Sequence, residues 1–177
     1  NPLLMNTCRG EVFDTRAILA AIRANDISGL NIDCWENEPG IDLDLLNLTD
    51  YGTPHIAGYS KDGKANGTTR SVRAISKFFG LGMDDWKPSE IEVPGNPVIK
   101  LDGSNRSEES ILAEAILSTY EIENDDKALR DNPHLFEQLR GDYPVRREFD
   151  SHSVRAANIR PETTRKLTKL GFKIIEK

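Results

Sequence analysis

Three side chains in the first third of the chain have the types and spacing to act on a hydroxy acid: Arg9, Glu38 and His55. Each follows closely on an apolar run, which suits a site assembled from loops at strand ends. Arg9 stands between Cys8 and Gly10, and its planar guanidinium can hold a carboxylate through two parallel bonds. His55 lies in Thr53-Pro54-His55-Ile56-Ala57-Gly58-Tyr59 and can exchange a proton near neutrality, as oxidation of an alcohol requires. Glu38 can take the proton on the second ring nitrogen and hold the ring in place. Plainer readings stand beside these. Arg9 can pair with Asp14 or lie on the surface, His55 can be structural, and both Glu36 and Glu38 can be solvated. Glu36 also competes with Glu38 for the histidine. Asp33, at the end of the next apolar run, either faces a ligand crevice or caps a turn.

The elements that must position these groups follow from the apolar pattern. Leu3 to Asn6 reads as a strand, and Asp14 caps a helix carrying Ala17, Ile18, Ala21 and Ile22 on one stripe. Ser28 to Asp33 is the next strand, giving the strand–helix–strand order of a mostly parallel sheet. A short helix is expected around Leu43 to Leu48, then a brief extended segment delivering His55. Lys61 to Phe79 is helical, with Ala65, Thr69, Val72, Ile75, Ser76 and Phe79 near one face and glycines 80 and 82 as its stop.

Residues 83–97, broken by Trp86, Pro88, Pro94, Gly95 and Pro97, form a linker between residues 1–82 and a second module over 98–177. There, strands are expected at Val98 to Leu101, Val154 to Ile159 and Phe172 to Ile175. Helices are expected around Ile111 to Leu117, in short pieces from Leu129 to Leu139, and from Pro161 to Leu170. Arg140, Arg146, Arg147 and Arg155 surround Tyr143. Their expected partners are Asp142, Glu148 and Asp150, with phosphate or subunit contact as the sharper reading.

At 177 residues, with 37% hydrophobic and 29% charged side chains, the chain is globular in composition. A formal charge of -6 argues against a nucleic-acid binder, and no apolar run is long enough to span a membrane. Two cysteines, Cys8 and Cys34, make neither a disulfide framework nor a zinc pattern; reduced thiols near buried strand ends in a cytoplasmic protein are expected. His134 and His152 lack clustered partners, so no metal is expected. The chain opens on Asn1-Pro2-Leu3-Leu4-Met5, just ahead of an interior-type strand, and reads as the C-terminal part of a longer protein. No glycine-rich phosphate loop lies within it.

The segments Leu4 to Asp14, Gly29 to Pro39 and Thr53 to Gly58 together resemble the NAD-dependent D-2-hydroxyacid dehydrogenases. The resemblance implies an α/β fold: the C-terminal part of a Rossmann-like NAD-binding domain with its crossover helix (1–82), followed by a small α+β dimerisation domain (98–177). It implies Arg9, Glu38 and His55 as catalytic residues, and Thr7, Cys8, Arg9, Asp33 and Gly58 as contacts to NAD. It also implies Arg9 and Tyr59 as contacts to a phosphorylated 2-hydroxy acid, and a homodimer formed through the C-terminal domain.

Overall fold

Parallel strand–helix–strand order governs both halves of the fold. The structure, a computed structural model, describes residues 1–175. In chain order the elements are β1 (Leu3–Asn6), α1 (Thr15–Arg23), β2 (Gly29–Ile32), α2 (Leu43–Leu48), β3 (Tyr51–Gly52), α3 (Lys61–Phe79), β4 (Val98–Asp102), α4 (Glu108–Leu117), α5 (Ile122–Asp131), α6 (Phe136–Gly141), β5 (Ser153–Ala157), α7 (Pro161–Leu170) and β6 (Lys173–Ile175). They assemble into two units of interleaved segments: residues 1–57 with 121–144, and 58–120 with 145 onward.

The first unit is built on a parallel sheet of order β1-β2-β3. Leu30 and Ile32 of β2 are almost wholly buried with Phe13, Trp35, Ile41, Leu45 and Leu46. Leu129 of α5 and Phe136 of α6 complete that core, so residues far along the chain finish what the first strands begin. Arg130 fastens the join: its guanidinium donates to the carbonyls of Leu46 (2.7 Å) and Thr49 (2.9 Å). Asp126 accepts the Gly52 N–H at 2.7 Å.

Helix starts follow the capping chemistry of the sequence. Asp14 accepts the Ala17 N–H at 2.9 Å and Asp42 that of Leu45 at 2.8 Å, each satisfying an amide left unpaired at a helix start.

The second unit carries a parallel sheet of order β4-β5-β6, with Ile99, Leu101, Val154, Leu167 and Phe172 at its core. Helix α3 begins with Ser60 accepting the Gly63 N–H at 2.9 Å and ends at Gly80, whose φ of 65° is the left-handed turn glycine accepts freely. Its inward stripe differs from the expected one. Ala65, Thr69, Val72 and Ser76 are sheltered, whereas Ile75 and Phe79 are exposed. Ser76 is buried because the chain folds back over the helix end: its hydroxyl donates to Asp84 (2.6 Å) and accepts the Met83 N–H (2.7 Å).

Arg147 also departs from the local pairing expected. It forms a two-pronged bond with Asp62 (2.8 and 2.9 Å), and the neighbouring Glu148 contributes only its N–H to the same carboxylate (2.8 Å). The start of α3 and residues 146–148 run side by side, joined by the Lys61 N–H to the Arg146 carbonyl (2.9 Å), which outranks proximity in sequence. Arg146 lies over the Tyr120 ring, and Tyr143 donates to Asp125 at 2.8 Å. Both cysteines are free thiols, Cys34 buried and Cys8 exposed.

Candidate active site

Sheet register brings the three chemistry-bearing loops level. Asn6, Ile32 and Gly52 stand in one row across β1, β2 and β3, so residues 7, 33 and 53 leave the sheet together at its carboxyl end. In an open parallel sheet this is the end where ligands bind.

The loop after β1 is pressed against the loop after β2. Buried Asn6 does the tying: its amide donates to the carbonyls of Arg9 (3.0 Å) and Cys34 (2.8 Å), and its oxygen accepts the Cys8 N–H (3.2 Å). Gly10 permits the closeness, since a Cβ there would lie 1.9 Å from the Trp35 carbonyl oxygen. Trp35 reaches onward, its indole N–H donating to the Thr53 carbonyl at 2.8 Å. Neither Asn6 nor Trp35 stood out as a site residue in the sequence. The signal present was a polar residue ending the apolar run Leu3 to Met5.

Glu38 bridges the second and third loops. One carboxylate oxygen accepts the Trp35 N–H at 2.7 Å and the other lies 2.8 Å from His55 Nδ1. Glu36 is engaged elsewhere, accepting the Thr15 N–H at 2.9 Å where α1 begins. Of the two carboxylates, Glu38 is thus the one beside the histidine. Arg9 is exposed, steadied by a 2.8 Å bond from its guanidinium to the Cys8 carbonyl. Arg9, Glu38 and His55 line one cleft of 520 Å³, together with Glu11 and Trp35. With Nδ1 on Glu38, the second ring nitrogen of His55 is free to meet a hydroxyl in that cleft, while the remaining guanidinium N–H groups of Arg9 suit a carboxylate.

The other expected site residues divide into groups. Thr7 and Cys8 have exposed side chains at the end of β1. Thr7 also edges a 100 Å³ apolar hollow with Met5, Asn31 and Tyr51, where the buried Asn31 Oδ1 has no partner among the described residues. An orphaned acceptor beside an open loop fits a ligand with a hydrogen-bond donor, such as the carboxamide end of NAD. Asp33 is buried, and its carboxylate is engaged by the Thr53 hydroxyl and the Ile56 and Ala57 amides. Gly58 and Tyr59 open the second unit. Beyond its chain neighbours, Gly58 has no atom of the described residues within 4 Å of where a Cβ would stand, and the Lys64 ammonium lies 3.8 Å over the Tyr59 ring. Burial first, then the charges of Asp33 and Glu38, push the Cys34 thiol up to about 12, so it stays protonated and inert. Among the described residues there is no cluster of three or more His, Cys, Asp or Glu able to hold a metal, and no helix long and apolar enough to cross a membrane.

Comparison with known proteins gives this geometry its class. Residues 1–57 match the family described as D-isomer specific 2-hydroxyacid dehydrogenase, NAD binding domain, so the first unit carries part of a Rossmann-like domain. Residues 93–171 match a domain of unknown function (DUF3410).

The chain is homologous, over most of its length, to erythronate-4-phosphate dehydrogenases. It is 46% identical over 152 residues to the erythronate-4-phosphate dehydrogenase of Bacteroides fragilis, covering 86% of this chain and 41% of that protein. The enzyme of the same name from Porphyromonas gingivalis is 41% identical over 86% of this chain and 41% of its own length. That from Teredinibacter turnerae is 38% identical over 97% of this chain and 46% of its own length. The chain thus spans less than half the length of the curated relatives it matches.

Proposed function

We propose that this chain supplies the acid–base and carboxylate-binding groups of an enzyme that oxidises 4-phospho-D-erythronate at C2 with NAD, a step in pyridoxal 5'-phosphate biosynthesis. The observation that carries the reading is the single cleft shared by Arg9, Glu38 and His55, with His55 Nδ1 2.8 Å from Glu38. The shared name of the relatives supports the choice of substrate.

In this mechanism Arg9 grips the substrate carboxylate and orients C2 toward His55. The second nitrogen of His55 takes the C2 hydroxyl proton as the carbonyl forms, and Glu38 stabilises the resulting imidazolium. Bound NAD supplies the acceptor for the hydride that leaves C2. Thr7, Cys8, Arg9 and Gly58 are the proposed contacts to NAD, and Tyr59 joins Arg9 on the substrate. Residues 1–82 form part of the nucleotide-binding domain with the crossover helix, 83–97 a linker and 98–177 a dimerisation domain, in a cytoplasmic homodimer. The 177 residues alone turn over little or no substrate, because no phosphate-cradling glycine loop lies within them.

The test is a substrate panel on the whole protein: 4-phospho-D-erythronate, its unphosphorylated acid and D-glycerate, followed by NADH formation. Strong preference for the phosphorylated acid is expected. Equal turnover of the unphosphorylated acids points to another D-2-hydroxyacid, and no turnover of any points to an inactive dimerisation module.

A further inference from the structure

His55 adopts a backbone conformation that few side chains take. Its φ is 53°, in the left-handed region that costs non-glycine residues energy and persists only where the surroundings over-determine it. The imidazole direction, and with it the 2.8 Å approach of Nδ1 to Glu38, depends on that turn being held.

The holding is concentrated on one residue. Asp33 Oδ1 accepts both the Thr53 hydroxyl (2.7 Å) and the Ile56 N–H (2.7 Å), and Oδ2 accepts the Ala57 N–H (3.0 Å). The Asp33 carbonyl accepts the N–H of His55 itself at 2.8 Å. Four donors from residues 53–57 thus end on Asp33, on both sides of the strained position. Asp33 is only 4% exposed, so water does not compete for these bonds. Of the roughly four acceptor positions a carboxylate offers, three are taken by this turn. The fourth faces the Cys34 thiol at 3.8 Å.

We infer that Asp33 is a positioning residue for His55: its carboxylate clamps the 53–57 turn and so sets the imidazole against Glu38. This rests on the dehydrogenase reading above but assigns Asp33 a task other than contact with NAD. The isosteric change Asp33→Asn places an amide N–H₂ against donors on at least one side and breaks the clamp without changing its size. Thr53→Val removes one arm only, and Thr53→Ser restores it.

The experiment is steady-state kinetics of the whole protein with 4-phospho-D-erythronate and NAD, alongside the histidine Nδ1 proton resonance in ¹⁵N-labelled protein, assigned through His55→Gln. For Asp33→Asn, kcat falls about 100-fold, the scale for a reacting group displaced by about 1 Å. KM for NAD stays within about twofold, since no binding contact is lost. Thr53→Val loses about tenfold in kcat and Thr53→Ser stays near the parent. The His55 Nδ1 resonance shifts or broadens in the first two variants and not in the third. A raised KM for NAD with unchanged kcat in Asp33→Asn overturns the inference, as does loss of the Thr53 ordering. If Asp33→Asn does not fold, the Thr53 pair decides. If the parent oxidises no 2-hydroxy acid, the enzymatic reading fails separately, and the resonance alone tests the clamp: an unmoved signal in Thr53→Val refutes it.

Discussion

His55 and Glu38 form a hydrogen-bonded pair, and in the proposed mechanism their variants separate what each contributes. Replacing His55 by Asn removes the proton acceptor, and kcat is expected to fall by about 10²–10⁴-fold. Glu38→Gln keeps the size and the Trp35 contact but no longer compensates an imidazolium; kcat is expected to fall by about 10²-fold with little change in substrate KM. Equal rates for either variant and the parent, measured by NADH formation, contradict the assignment. The two thiols should also separate. Cys8 is exposed, whereas Cys34 is buried with its ionisation pushed up to about 12, so an alkylating reagent at neutral pH should modify Cys8 rapidly and Cys34 only after unfolding. Comparable rates in the native state would count against the packing around Asp33 and Glu38.

At this scale the three side chains that share the cleft were legible in the sequence, because guanidinium, carboxylate and imidazole declare their chemistry by type. Their partners were not. Glu36 and Glu38 are two residues apart, and only the fold shows that one caps α1 while the other meets the histidine. The tie made by Asn6 was equally hidden, since it joins carbonyls on two loops that spacing does not relate.

Among elements, the most consequential contacts are close approaches between loops and one largely sheltered ion pair. Gly10→Ala drives a Cβ into the Trp35 carbonyl, and a loss of about 3 kcal/mol is expected from such overpacking, read as a lowered melting temperature. The Asp62–Arg147 pair, 12% and 11% exposed, anchors the first turn of α3. Burial alone would raise the Asp62 carboxyl, but the bonds from Arg147 and the Glu148 N–H outweigh it and hold the carboxyl below its ordinary value. The folded state therefore binds fewer protons at this site than the unfolded state. Its stabilisation is complete above the ordinary carboxylate range and is lost as pH falls through the depressed value. Asp62→Asn should cost about 3 kcal/mol at neutral pH and flatten the acid limb of a melting-temperature profile. An unchanged acid limb would show that the pair is not what fails at low pH.

Two helix starts and one helix stop were readable from residue types, since Asp14, Pro161 and Gly80 act locally. The face of α3 was not. Ile75 and Phe79 looked inward by apolar pattern, yet the returning chain at 83–84 shelters Ser76 instead. Arg147 found a distant carboxylate for the same reason: tertiary adjacency overrides neighbourhood in sequence.

For the molecule as a whole, the two units share the chain in alternating segments. That residues 121–144 complete the core begun by residues 1–57 is a long-range fact that no local period announces. The proposed homodimer through residues 98–177 belongs to this scale. Light scattering of the whole protein should report twice the chain mass at micromolar concentration, and a monomer there would contradict it.

In the proposed reaction one carbon is served by Arg9 and His55 together. Its most direct measurement is the rate of NADH formation from 4-phospho-D-erythronate by the whole protein, compared with the His55→Asn and Arg9→Lys variants at saturating and limiting substrate. The expected result is a collapse of kcat for the first and a rise in substrate KM with reduced kcat for the second. Parent-like kinetics in both variants would contradict it.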